Sequence, residues 1–221
     1  MRIGILGSGL MGAALGQLFA EAGHAVTFSY SRDPAKLERL ARRGGPRARA
    51  GTPAEAVRGA DAVLLAVHWS KVSHVVRLAG GLRGKVLIDC TLPMNKSDTA
   101  LVLGRTISGG ERVARLAPGA RVVKAFNTIP SELLRAGPGI LSEQPAVCYC
   151  GDDARANRLV ARLIRQLGYE PVDCGVLQMA RYLEPFTLIV AELAYNRGRR
   201  PEVGVRFLRP GSRRRRASTR R

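Results

Sequence analysis

The sequence predicts an α/β protein: a Rossmann-type doubly wound parallel sheet with a small, mainly helical C-terminal domain. Three observations lead there. Short apolar runs ("RIGIL", "AVTFSY", "AVLLAV", "KVLIDC", "RVVKAF") alternate with amphipathic stretches, as strands buried on both faces alternate with helices. The first run opens directly into "GSGLMG", a glycine spacing that dinucleotide-binding folds place between strand and helix. After Cys150 the alternation changes and long helical patterns dominate.

In order, the strand "RIGIL" leads to a helix over 10–22, "AVTFSY" to a helix over 34–43, and "AVLLAV" to a helix over 69–80. "KVLIDC" precedes a helix over 109–117, and "RVVKAF" and "AVCYC" complete a first domain spanning 1–150. Asp152 or Asp153 can cap a helix ending about Leu167, "YEPVDC" reads as a short strand, and 176–196 reads as one long apolar helix. Pro185 should start or kink a helical segment there. These elements form an expected second domain over 151–208, followed by a basic, disordered tail over 209–221. An apolar helix of this kind must be covered, so a homodimer is expected.

Composition bounds the function. With 221 residues and 46% hydrophobic content, the chain can bury a substantial core. No stretch reaches the run of about 18 apolar residues that a membrane span needs, and "MRIGILGSGLMG" lacks signal-peptide features, so a cytoplasmic protein is expected. Cys90, Cys148, Cys150 and Cys174 include no Cys-x-x-Cys pair, and no metal site is expected. Of the net charge of +19, +10 lies between Arg197 and Arg221, where eleven arginines face the single acid Glu202. The tail has no interleaved aromatics for base stacking, so specific nucleic-acid binding is not expected.

Gly7, Gly9 and Gly12 suit a tight turn, close approach of a pyrophosphate and close helix–strand packing, respectively. N–H groups from Ser8 to Met11 would face the phosphates at the positive end of the helix. About twenty residues beyond the loop, an acid selects NAD and an arginine selects NADP. Counting twenty from Gly12 reaches Arg32. Ser31 can donate a hydroxyl, Arg32 can pair with a phosphate, and Lys36 adds a charge one turn on. Asp33, the one acid there, can instead cap the helix beginning at Pro34. The expected cofactor is therefore NADP(H). His68, at the carboxyl end of the fourth strand, lies where such folds bind ligands; His74 reads as a surface helical residue.

The segments "VVKAFNTIPSELL", "CGDDARANRLVARLI", "PVDCGVLQMARYLEP" and "PEVGVRFL" together resemble the NADPH-dependent reductases of coenzyme F420, an 8-hydroxy-5-deazaflavin hydride carrier. The similarity runs to about residue 208. It implies that Ser8, Gly9, Leu10 and Met11 line the pyrophosphate and that Ser31, Arg32 and Lys36 hold the 2′-phosphate. It further implies that Val67, His68 and Trp69, with Leu92 and Ser131 nearby, lie along the nicotinamide ribose, and that Asn127, Ile129 and Val203 face the deazaflavin. The chain departs from archaeal members at Asn127, where they tend to carry histidine, and at His68, where they tend to carry proline. "KAFNTI" is also similar to the NADPH-binding domain of membrane metalloreductases, which makes an ordinary flavin (FMN or FAD) the alternative acceptor.

Direct hydride transfer between two cofactors needs stacking and exclusion of water, and it needs no side-chain acid or base. The sequence accordingly offers no triad, paired carboxylates or metal cluster. Two other functions are weighed: reduction of a small organic substrate, for which about 70 residues after Cys150 leave little room, and a non-catalytic NADPH-binding sensor.

Overall fold

The computed structural model describes residues 1–104, 106–197 and 200–208; the expected tail over 209–221 lies outside the described residues. One eight-stranded sheet organises the chain, in the order β3-β2-β1-β4-β5-β6-β7-β8. Strands β1 (Arg2–Leu6), β2 (Ala25–Ser29), β3 (Ala48–Ala50), β4 (Ala62–Leu65), β5 (Val86–Asp89) and β6 (Arg121–Ala125) run parallel. β7 (Ala146–Gly151) turns antiparallel to β6, and β8 (Glu170–Asp173) runs parallel to β7. The division expected after residue 150 falls at the end of β7, inside this sheet.

Alternate residues of the strands feed opposite layers, as the two-residue period requires. Ile3, Ile5, Val26, Phe28, Leu64 and Ile88 face one layer. It is built by α1 (Leu10–Glu21), α2 (Pro34–Arg43), α6 (Ser131–Ala136) and α7 (Ala154–Gln166). Leu6, Val63, Leu65, Leu87 and Val122 face the other, built by α3 (Pro53–Val57), α4 (Val72–Ala79) and α5 (Gly109–Leu116). On this second side α8 (Ala180–Ala191) lays Ala180 and Leu183 over Cys148 and Cys150 of β7.

Most expected elements form where the apolar periodicity places them, and Asp153, not Asp152, caps α7 by accepting from the Ala156 N–H at 2.7 Å. The three that periodicity missed are short: β3 has three residues, α3 five and α6 six. The single helix expected over 176–196 is instead a 3-10 turn (Leu177–Met179), α8, and a π-helical turn (Glu192–Asn196). Pro185 sits in the second turn of α8, where its missing N–H leaves the Arg181 carbonyl out of the helical ladder. The outer face of α8 carries Tyr182 and Ile189 at 68% and 58% exposure, and the π-helical turn after it adds Leu193 at 49%.

A fully buried ion cluster joins these layers. Lys124 on β6 holds Asp89 on β5 at 3.0 Å and Glu184 on α8 at 2.9 Å, and it also donates to the Thr91 carbonyl. Glu184 in turn accepts from the Gly109 and Gly110 N–H groups at 2.8 and 2.9 Å, capping the start of α5 from another helix. Burial alone would pull the lysine's pKa down, but the carboxylates of Asp89 and Glu184 outweigh it and hold it above the ordinary value. At the rim of the same helix pair, Arg181 makes a bidentate pair with Glu111 at 2.8 and 2.7 Å.

Lys124→Met would leave two carboxylates buried without their cation. Urea unfolding should show a loss of about 3–5 kcal/mol, and Lys124→Met combined with Asp89→Asn and Glu184→Gln should recover part of it. A loss below about 1 kcal/mol for the single change would show that the cluster bears little of the load.

The Arg181 guanidinium lowers the Glu111 carboxyl from the ordinary 4.5 to about 2. Because the folded pKa lies below the unfolded one, the pair's stabilisation is complete above 4.5 and disappears as pH falls toward 2. The melting-temperature gap between the natural protein and Glu111→Gln should therefore be constant near neutrality and close across that acid window. A gap that persists unchanged through the window would contradict the assignment.

Candidate functional site

The turn between β1 and α1 has little room for side chains. Gly7 adopts φ +122°, donates its N–H to the Ser29 carbonyl at 3.1 Å, and a Cβ there would lie 2.2 Å from the Ala66 carbonyl oxygen. A Cβ on Gly12 would lie 1.9 Å from the Gly7 carbonyl oxygen. These two glycines thus let the turn, β4 and α1 meet backbone to backbone. Gly9 is different: a Cβ there would meet nothing within 4 Å. It occupies the cap position of α1 with no side chain capping the first-turn N–H groups, leaving donors and the positive helix end facing open space, a ready place for phosphate.

That open space continues into a cleft of about 830 Å³. Ser8, Gly9, Ser31, Arg32, Lys36, Val67 and His68, all singled out by the sequence, line it together. Ser8 is buried and donates its hydroxyl to the Tyr30 carbonyl at 3.2 Å, which ties the loop to the end of β2. Tyr30 itself has φ +62°, a region that bulky residues seldom occupy. It turns the chain so that Ser31 and Arg32 meet the cleft directly beyond the strand. Asp33 stands at the cap position of α2 but does not cap it; its carboxylate pairs with Arg39 at 2.9 Å. That guanidinium holds the carboxyl below its ordinary pKa.

Leu10 is 64% exposed and lines a neighbouring groove, and Met11 packs partly on the core. Trp69 begins a 3-10 turn and is half-buried against the core layer of α4 instead of lining the cleft. Lys71, which the sequence reading passed over, and His74, which it took as a surface helical residue, do line it. His74 therefore faces the cleft from α4, with its ring centroid 6.0 Å from that of Tyr30. Their signal was helical spacing: three and six residues beyond His68 fall on one side of the turn that starts α4. His68 bonds the Ser70 hydroxyl at 2.9 Å and Asp98 at 3.1 Å, so the segment after β5 is pinned to the cleft mouth.

The remaining expected residues lie at the same carboxyl edge of the sheet but outside this cleft. Leu92 is half-buried just beyond β5. Phe126, at φ +64° and fully buried, bends the chain as it leaves β6. Asn127 then donates to the Leu183 carbonyl at 3.2 Å and the Thr187 hydroxyl at 2.8 Å, locking this bend to α8. Its Oδ1 and the Thr128 hydroxyl are buried with no partner among the described residues. Ile129 and Ser131 are buried beside them. Val203 is half-buried in the segment that returns to this edge, where the Ala146 N–H bonds the Val205 carbonyl. Cys90, which follows Asp89, is no nucleophile: burial, aided by that carboxylate, pushes its thiol up to about 12.

Comparison with known proteins places the chain in a family. A model of the family described as "NADP oxidoreductase coenzyme F420-dependent" matches residues 2–93, the half of the sheet that builds the cleft. The F420-dependent NADP reductase of Methanothermobacter marburgensis is 30% identical over 212 residues, covering 87% of this chain and 92% of that protein. The chain belongs to the F420-dependent NADP oxidoreductase family. A candidate F420-dependent NADP reductase from Arthrobacter sp. FB24, solved by crystallography, superposes with a TM-score of 0.84 at 27% identity, covering 95% of this chain and 100% of that one. The metalloreductase STEAP3 of Rattus norvegicus is 34% identical over 187 residues, or 85% of this chain, while the chain spans only 36% of the metalloreductase's length. Among the described residues no helix is long and apolar enough to cross a membrane.

The cleft fits NADP(H) on its own geometry: open backbone at Gly9, then Ser31, Arg32 and Lys36, while Asp33, the one carboxylate among its described lining residues, is paired with Arg39. Arg32→Ala should remove a charge-assisted pair of about 1.5–3 kcal/mol. NADPH affinity measured by fluorescence titration should then fall about tenfold or more, with NADH affinity nearly unchanged. Equal affinities for NADPH and NADH in the natural protein would overturn the assignment.

Proposed function

We propose that the protein is an oxidoreductase that transfers hydride between NADPH and coenzyme F420. The supporting observation is the extent of the match to the methanogen reductase. It runs through 92% of that enzyme, well past the nucleotide half and into the segment that would hold an acceptor. The bound cofactors would supply the chemistry itself, a hydride leaving the nicotinamide and arriving on the deazaflavin ring.

In this reading the chain binds and orients. Backbone N–H groups of Ser8, Gly9, Leu10 and Met11 hold the pyrophosphate, and Ser31, Arg32 and Lys36 hold the 2′-phosphate. Val67 and His68, with Leu92 and Ser131 further along the same edge, flank the nicotinamide ribose, and Trp69 supports them from the core layer of α4. Asn127, Ile129 and Val203 face the acceptor, where the unpaired Asn127 Oδ1 offers an acceptor for a ring or carboxamide N–H. Lys124, Asp89 and Glu184 are committed to one another and to the start of α5 and take no part in proton transfer. The segment 151–208 acts as the acceptor-binding and dimerisation unit. In the dimer the outer face of α8 and of the turn after it, with Tyr182, Ile189 and Leu193 exposed, meets a second copy.

An ordinary flavin is the second reading, favoured by the 34% identity to the metalloreductase. Purified protein should oxidise NADPH rapidly with F420 and slowly with FMN or FAD. The reverse order would select the flavin, and no turnover with any of them would leave an NADPH-binding protein of another kind. Asn127→Ala should reduce turnover with F420 while leaving NADPH affinity unchanged. In sedimentation experiments the natural protein should be a dimer and Ile189→Glu a folded monomer; a monomeric natural protein would refute the α8 interface.

A further inference from the structure

A second cavity, of about 410 Å³, opens at the other end of the sheet. Arg2, Arg47, Arg49 and Arg58 line it, around small residues that include Ala25 and Ala56. Arg2, Ala25 and Ala48 begin β1, β2 and β3, so the cavity lies at the amino ends of the strands, whereas the nucleotide cleft lies beyond the carboxyl ends of β1, β2 and β4. Its volume falls in the range of about 300–1,000 Å³ usual for small-ligand sites.

The sequence explains why this face is open. Gly4 pairs with Thr27 and Thr27 with Arg49, so the three share one face of the sheet. On that face α3 lies over Gly4, where a Cβ would be 2.1 Å from the Ala56 carbonyl oxygen. With only five residues, α3 ends at Val57. Beside it, Ala25 and Arg49 stay exposed. The four arginines come from β1, the 3-10 turn before β3, β3 itself and the residue after α3.

Three of them are held in place by neutral contacts. Arg47 donates to the Gly23 carbonyl at 2.9 Å, and the Arg49 Nε donates to the Thr27 hydroxyl at 3.0 Å. The Arg2 guanidinium packs on Gly59, where a Cβ would lie 3.1 Å from its Nη1. One such contact leaves most of the five N–H donors of a guanidinium uncommitted. Among the described residues none of the four has a carboxylate partner. The nearby acids are engaged elsewhere: Glu55 accepts from the Thr52 N–H and hydroxyl at 2.7 and 2.9 Å, and Asp61 accepts from the Arg2 backbone N–H at 2.8 Å. Gathering like charges in one concavity costs stability unless an anion meets them.

We propose that this cavity binds a diphosphate group, free or carried on a nucleoside. Guanidinium forks match phosphate oxygens in pairs. A single phosphate carries about −1.5 to −2 charges at neutral pH and would leave much of the charge of four arginines uncompensated; a diphosphate offsets more of it and spans more of the cavity. The site is separate from the cleft, so its occupant and NADPH bind without competing.

The test is calorimetric titration of the full-length protein with inorganic pyrophosphate, ADP and orthophosphate at about 0.15 M salt, where loose surface attraction is screened. Expected is saturable binding of pyrophosphate, about tenfold or more tighter than orthophosphate. ADP binding tighter than pyrophosphate would assign the nucleoside form, and equal or weaker binding the free anion. Arg2→Ala combined with Arg58→Ala removes two exposed side chains with no hydrogen bond of their own among the described residues. This double variant should melt like the natural protein, keep its NADPH affinity and bind pyrophosphate more than about tenfold more weakly. Arg155→Ala, at an exposed position on α7, should bind it as the natural protein does. The absence of saturable binding, an equal loss in Arg155→Ala, orthophosphate binding as tightly as pyrophosphate, or binding that Arg32→Ala removes and the double variant keeps would each overturn the proposal.

Discussion

Lys124 is the constraint on which the rest of the structure depends. A lysine at zero exposure inside a parallel sheet carries a desolvation cost that only close carboxylates can offset. Asp89 arrives from the neighbouring strand and Glu184 from α8, so the C-terminal helix is required to complete the interior of the nucleotide-binding sheet. Glu184 also supplies what the start of α5 lacks, accepting from the Gly109 and Gly110 N–H groups. One carboxylate therefore fixes α8 against β6 and α5 together. Asn127 repeats the connection two residues beyond β6 through the Leu183 carbonyl and the Thr187 hydroxyl. The wall that would face an acceptor is in this way clamped to the strand ends that frame the donor cleft.

The donor side is governed by a different physical limit, the absence of side-chain atoms. Gly7 and Gly12 allow β1, β4 and α1 to approach within contact distance of each other's backbone, while Gly9 keeps the helix start bare. Two residues with positive φ, Tyr30 and Phe126, stand immediately beyond β2 and β6. Each is a conformation that costs of order 1–3 kcal/mol and persists only where its surroundings enforce it. Both redirect the chain at the edge where ligands bind in folds of this class. Packing in the sheet, which is nearly all apolar, supplies the rigidity that holds them.

The fold was legible because its signals are local and repetitive. Apolar runs of four to six residues became strands, and the glycine spacing marked the loop before any tertiary contact was known. Elements of three to six residues, such as β3 and α6, carry too few positions for a period to register. α3 did leave a trace in "TPAE", where Thr52 and Glu55 form a capping box. In the site, Ser31, Arg32 and Lys36 were readable because their distance from Gly12 is set by one strand and one turn. The Lys124 cluster was not, since its members stand 35 and 60 positions apart. Its trace was a charge in each of three apolar contexts: "VLID", "VVKAF" and "RYLEPF". Charges there are costly unless they meet, a rule that points to a cluster without naming the pairing.

This contrast explains why the two cofactors are legible to different degrees. In the proposed reading the donor would be recognised by backbone N–H groups and by cations that match its 2′-phosphate, all within the first 74 residues and all dictated by charge and reach. The acceptor would be faced by neutral groups from the turn between β6 and α6 and from the returning segment near Val203, brought together by long-range packing. Neutral contacts to a planar ring distinguish deazaflavin from flavin by shape and by one or two hydrogen bonds, for which the unpaired Asn127 Oδ1 is available. If Asn127 faces the acceptor as proposed, selectivity depends on how α8 holds it through the Leu183 carbonyl and the Thr187 hydroxyl, which returns the question to Glu184 and Lys124.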